Sequence, residues 1–312
     1  MSTAAKTPTT QTTSSTRPTR NSARGRKNKV DPAYYVMLLP VVILFTLFIT
    51  LPAVIGMFYS FTNYVGYGSW HFIGLTNYTS LFSDPNIRHA YGFTLLFAVV
   101  TVVLVNAIAL ALAVGLSGKI KFKTGLRGVF FIPMVISGIV IAYVFSYMFS
   151  TTIPTIATNL HIGPWETSIL TSPHWAWIAI VIVATWQSVP GAMIIYLAGL
   201  LSIPGEVYEA AAIDGASPWR QFRSITFPLV AGYVVINTIL GVKAFLNVYD
   251  IIIGTTNGGP GTSTQSVAMT IFTGFTSGDY AYQMANAVIF FLVTVLISLL
   301  QLQLIRRRGV AI

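Results

Sequence analysis

Six stretches of this chain, 33–59, 91–116, 129–150, 174–200, 226–253 and 284–305, are predominantly apolar over lengths that can cross a bilayer. An α-helix needs about 20 such residues to traverse the hydrocarbon core. Inside lipid no water is present to satisfy backbone polar groups, so each stretch is expected to be helical. Charged residues make up only 8% of the 312, against roughly 25% in soluble domains. A water-soluble enzyme is therefore excluded, and the fold class expected is an all-α membrane protein with six transmembrane helices. Spans 91–116 and 284–305 carry no charge, whereas Pro190-Gly191 interrupts the fourth and Lys243 and Asp250 lie in the fifth. A further stretch within 264–276, mostly apolar from Val267 to Phe275, is not read as a full span, which would reverse the side of the Arg306–Arg308 cluster, and the residues alone leave open whether it dips into the outer leaflet.

The net charge of +10 carries a topology signal. Seven basic residues lie in the N-terminal tail, from Lys6 to Lys29. Lys119, Lys121, Lys123 and Arg127 follow span two, Arg220 and Arg223 follow span four, and Arg306, Arg307 and Arg308 follow span six. Six spans place all four groups on one side. Arg88 is the sole basic residue in an opposite loop. Short loops rich in Lys and Arg stay cytoplasmic, so both termini are expected inside, and the positive balance needs no nucleic acid partner. The first 30 residues hold 12 Ser and Thr and almost no large apolar side chains. They cannot bury enough surface to offset chain ordering and are expected to form a disordered basic cytoplasmic tail. The expected organisation is tail 1–30, membrane domain 31–308 and a short tail 309–312.

Catalytic chemistry has no visible seat. The chain has no cysteine, and its four histidines (71, 89, 161 and 174) are scattered without zinc-ligand spacing. The segment Ala113 to Ile120 lacks the first glycine and the hydroxyl residue of a phosphate-binding loop. No catalytic residue, metal site or cofactor is expected in this chain.

Residues 202–228 are more structured than a tether requires. Ser202 and Pro204 suit a helix start, Glu206 and Glu209 lie near its positive end, and Gly215 permits a sharp turn. Ser217 can then cap a second helix with Pro218 at its first position, and Pro228 stands at the start of span five. Ala210, Ala211 and Ala212 make the first helix thin enough to enter a groove on another protein, with Glu209, Arg220 and Arg223 at the rim. The same alanines also suit a loop packed on its own spans, and the residues alone leave both readings open.

The spacing Glu209-Ala210-Ala211, Gly215, Ile225 and Pro228 resembles the signature loop of permease subunits of binding-protein-dependent ABC importers, departing only at Phe227, where that family has Leu. Further segments are similar to the maltose and glycerol-phosphate permease group. These are Phe72 to Tyr78 with Asp84-Pro85, Ala198 to Leu200 before Ile203-Pro204, Asp214-Gly215-Ala216, and Thr256 to Gly261. The resemblance implies the fold of type I importer permeases, in a bacterial or archaeal cytoplasmic membrane. It implies a heterodimer with a second permease, a dimer of cytoplasmic ATPase subunits, an extracytoplasmic solute-binding protein and a sugar substrate. Glu209, Ala210, Ala211, Asp214, Gly215, Arg220, Ile225 and Pro228 would then couple the permease to the ATPase. Glycerol phosphate is the alternative solute, and an autonomous secondary transporter the alternative class.

Ionisable groups within a bilayer are candidates for function. Lys243, Asn247 and Asp250, at i, i+4 and i+7, would share one helix face. Trp186, Gln187 and Ser188 precede Pro190 on span four. An aromatic face with amide and charged groups suits a sugar, so these six residues are the candidate substrate pathway. A Lys243–Asp250 ion pair and a packing role for Trp186 are the structural alternatives.

Overall fold

The computed structural model describes residues 32–118 and 121–307. The N-terminal tail, Lys119, Arg308 and 309–312 lie outside the described residues. Contacts divide the chain into two compact units, up to Pro52 and from Ala53 onward. In the first, Pro32–Phe45 (α1) continues as a π-helical turn over Thr46–Thr50. Helix Leu51–Tyr59 (α2) completes an apolar span of Tyr34–Tyr59.

The second unit then contains Thr76–Ser83 (α3), Pro85–Ser117 (α4), Lys123–Val135 (α5), Gly138–Tyr147 (α6) and Ile153–Leu160 (α7). Ala176–Leu201 (α8), Gly205–Ile213 (α9), Pro218–Gln221 (α10) and Phe227–Leu246 (α11) follow. The last elements are Asp250–Thr255 (α12), Val267–Thr276 (α13) and Tyr280–Arg307 (α14). Among the described residues six helical segments are long and apolar enough to span a membrane.

Four of the six fall close to their expected positions, and α4 begins earlier for a local reason. Asp84 caps it by accepting from the Asn86 N–H at 2.8 Å, with Pro85 at the first helical position, where its missing N–H is harmless. Pro190 does not interrupt α8, which runs unbroken to Leu201. Helix α13 has only ten residues, so it is no full span.

Spans three and five differ from expectation. The apolar run expected at 129–150 is cut in two: α5 ends at Val135, Ile136 and Ser137 are extended, and the spanning helix is Gly138–Leu160. Pro133 inside α5 removes one donor from its last turn. The Gln187 side-chain amide donates to the Ile136 carbonyl at 3.3 Å, partnering an acceptor at the break. Span five is Pro218–Leu246, displaced from 226–253, because the chain leaves helix at Asn247 (φ −94°, ψ 18°). There the Asn247 amide turns back to the Lys243 carbonyl at 2.9 Å.

Helix α4 packs on α8 and α11, and α12 packs on α6. The inward face of α4 is stepped by small residues, Ala90, Ala98, Ala109 and Ala113, together with Phe97 and Val105. Leu95, Leu96, Val99 and Val103 point outward and are 40–61% exposed. Lipid tails are as apolar as these side chains, so hydrophobicity does not select the inward face; close packing and hydrogen bonds do. Buried polar groups join the helices accordingly. Tyr196 of α8 donates to Asn106 of α4, and Asn237 of α11 donates to the Ala192 carbonyl of α8 at 3.1 Å. Tyr91 of α4 donates to the Asn286 side-chain oxygen of α14 at 3.1 Å.

Candidate functional site

The segment between α8 and α11 folds into an elbow. Ser202 does not start a helix as expected: it closes α8, its hydroxyl donating to the Gly199 carbonyl at 2.8 Å. Pro204, extended at φ −60° and ψ 137°, instead precedes α9, whose first turn carries Glu206. The turn after α9 is a Schellman closure. The Ala216 N–H bonds the Ala211 carbonyl at 2.9 Å and the Gly215 N–H bonds the Ala212 carbonyl at 3.1 Å. Gly215 sits at φ +71°, where a β-carbon is disfavoured.

The second arm starts as expected. Ser217 accepts from the Arg220 N–H at 3.4 Å, and Pro218 takes the first helical position. No gap separates this arm from span five, because α10 passes through the π-helical turn Phe222–Thr226 into α11. Two side-chain contacts brace the elbow. The Tyr208 and Thr226 hydroxyls lie 3.0 Å apart, and the Gln221 amide donates to the Ala216 carbonyl at 3.0 Å. Trp219 stacks on Phe222 with centroids 5.6 Å apart.

This bracing leaves Glu209, Ala210, Asp214, Gly215, Arg220 and Pro228 exposed, with Ile225 half-buried and Ala211 buried. The elbow therefore presents a charged outer rim on a backbone held from inside.

The candidate pathway residues lie on α8 and around the corner that ends α11. Trp186 is 41% exposed and lines an apolar groove between α4, α5 and α8, its ring 5.3 Å from that of Phe145. Gln187 is engaged with Ile136, and Ser188 is half-buried. Lys243, Asn247 and Asp250 are exposed, but they do not share a continuous helix face. The helix ends at Leu246, so Asp250 opens the separate α12. The i, i+7 relation needs unbroken helix and fails at this corner.

The model of the family described as "Binding-protein-dependent transport system inner membrane component" matches residues 107–310, which includes the whole elbow. This chain belongs to that family. The inner membrane component is 33% identical over 278 residues to the probable starch degradation products transport system permease protein AmyD of Thermoanaerobacterium thermosulfurigenes, covering 89% of this chain and 95% of the relative. It is 36% identical over 275 residues to the multiple sugar-binding transport system permease protein MsmF of Streptococcus mutans, covering 88% and 95%. Its fold is similar to a crystal structure of a bacterial ABC transporter involved in import of the acidic polysaccharide alginate. The TM-score there is 0.79 at 22% identity, covering 89% of this chain and 96% of that one. The component is thus a multi-pass membrane protein with the importer permease fold.

Two elbow residues of this component were not singled out from its sequence. Ile213 is 87% exposed and Trp219 70% exposed, on either side of the Gly215 corner. Large apolar groups exposed on an otherwise charged loop mark a contact surface. Their signal in the sequence was an isoleucine and a tryptophan where a solvated loop would carry polar residues.

Proposed function

We propose that this chain is the non-catalytic permease subunit of an ATP-driven carbohydrate importer, and that residues 202–228 form its coupling elbow. The observation that carries the reading is the braced turn at Gly215, which presents Glu209, Asp214, Arg220, Ile213 and Trp219 outward. Driving a permease from outside the membrane requires a rigid projection. The Schellman closure, the Tyr208–Thr226 contact and the unbroken run of α10 into α11 supply one. Motion imposed on the elbow would pass along span five without a flexible joint. The basic residues flanking the spans support a cytoplasmic side for the elbow and both termini. ATP hydrolysis belongs to a separate pair of subunits, and an extracytoplasmic binding protein delivers the solute. A second permease completes the pathway, with the exposed Lys243, Asn247 and Asp250 turned toward it. Relatives whose names specify starch degradation products and multiple sugars support a carbohydrate as solute.

The test is purification from native membranes in mild detergent, followed by uptake in vesicles. The unaltered chain should retain an ATPase subunit, whereas Glu209→Lys and Trp219→Ala should release it and stop uptake while membrane insertion stays normal. Uptake that continues without the ATPase would replace this reading by a secondary transporter.

A further inference from the structure

A groove of about 270 Å³ opens between α3, α4 and α14. Leu81, Ile87, Ile289 and Val293 make its walls almost wholly apolar, and Phe82 and Arg88 also line it. Its two remaining lining residues satisfy each other, the Tyr91 hydroxyl donating to the Asn286 side-chain oxygen at 3.1 Å. Along α14 the lining runs from Asn286 to Val293. At 1.5 Å per residue this is about 10 Å, against ~15 Å for half of the hydrocarbon core. Successive spans alternate in direction and α8 ends at the elbow, so α4 and α14 both begin at the end away from it. The groove lies in their first turns and reaches most of the way through that leaflet.

Arg88 brings a free cation to this groove. Its side chain is exposed and makes no hydrogen bond or ion pair with any described residue. Asp84, one turn earlier, forms no ion pair with it, because both carboxylate oxygens are engaged elsewhere. One accepts from the Asn86 N–H at 2.8 Å and the other from the Tyr282 hydroxyl at 3.0 Å. No other Lys or Arg lies in the loops on this side. At a membrane surface an Arg lays its methylene stem along apolar groups and keeps its charged head in the polar layer. The two halves of Arg88 thus meet the two halves of a lipid.

We propose that the groove seats one acyl chain of an anionic phospholipid, with its phosphate on the Arg88 guanidinium. The planar fork of Arg matches phosphate oxygens, and the apolar walls take the chain below them. A sugar would find no polar partner on those walls. A protein helix, about 10–12 Å across, is too wide for a slot of this volume. Lipid binding here needs neither a solute nor an ATPase, so it stands or falls separately from the importer reading.

The test is photo-crosslinking of the full chain in vesicles of equal phosphatidylglycerol and phosphatidylcholine. The photoreactive residue p-benzoylphenylalanine replaces Phe82, 68% exposed on the groove rim, or Phe291, 59% exposed on α14 between Ile289 and Val293 but outside the groove. Mass spectrometry of the adducts gives the ratio of the two lipids at each position. At Phe82 phosphatidylglycerol should be favoured about tenfold more than at Phe291, the size of a charge-assisted hydrogen bond. Arg88→Gln should bring the Phe82 ratio down to the Phe291 ratio, Arg88→Lys should keep part of the difference, and millimolar inorganic phosphate should leave it unchanged. Equal ratios at the two positions, a preference that survives in Arg88→Gln, or one abolished by free phosphate would overturn the proposal. So would a Phe82 adduct in native membranes that joins the chain to another protein instead of to phospholipid.

Discussion

The hydroxyls of Tyr208 and Thr226, 3.0 Å apart, tie the short helix α9 to the start of span five. Thr226 is only 6% exposed, so solvent does not readily replace the contact. Tyr208→Phe should therefore loosen the elbow by about 1 kcal/mol, the net worth of a typical hydrogen bond. Limited proteolysis within 202–228 should speed up, and less ATPase should co-purify. Thr226→Val should do the same, and the double variant should be no worse than either single one. Additive losses would show that the two hydroxyls act separately.

Gly215 separates backbone strain from crowding. No atom lies within 4 Å of where a β-carbon would stand, so only the φ of +71° opposes a side chain. Gly215→Ala should cost about 1–2 kcal/mol and weaken ATPase retention. Gly215→Asn should be milder, since Asn tolerates the left-handed region better than Ala. Thermal unfolding of the detergent-solubilised chain checks both, and an equal loss for the two would point to a direct contact at Gly215 instead.

Gln187 offers a choice between structure and substrate. Its amide donates to the Ile136 carbonyl at the break before α6. Gln187→Leu would leave that acceptor without its donor, at a cost of about 1–3 kcal/mol. The expected result is a lower unfolding temperature for the solubilised chain whether or not sugar is present. A variant of full stability with altered solute selectivity would return Gln187 to the transport pathway.

Gly254 of α12 allows a close approach to α6: an added β-carbon would lie 2.6 Å from the Ala142 Cβ and 3.2 Å from the Ile139 carbonyl oxygen. Gly254→Val should push the helices apart and destabilise the chain by about 1–3 kcal/mol. Half-buried Gly191 has open space around its Cβ position, so Gly191→Ala makes a suitable control. Similar unfolding temperatures for the two variants would rule out tight packing at Gly254.

Several features could be read directly from residue order. The number of spans follows from run length, because the bilayer sets a minimum of about 20 apolar residues. The second helix start at Pro218 and the corner at Gly215 follow from local backbone chemistry, with Ser217 and glycine satisfying or permitting a nearby geometry, whereas the Asp84-capped start at Pro85 lay outside the apolar run from which that span was read. The elbow was legible for the same reason, since its turn signals lie within a few residues of one another.

Other features needed distant neighbours. Hydropathy treats 129–150 as one run, yet the break at Ile136 is matched by Gln187, 51 residues away. The single polar face expected for Lys243, Asn247 and Asp250 assumed a helix that Asn247 ends. Which side of α4 faces inward was equally hidden. In lipid both faces are apolar, and the choice rests on where alanines let neighbouring helices approach and where Asn106 and Asn286 meet tyrosines. Residue order alone set how many times the chain can cross, the expected side of each loop and the corner of the elbow at Gly215, because those depend on local composition. The tertiary structure decided where helices break, which faces pack and which polar groups remain unpaired, because those depend on partners far apart in the chain.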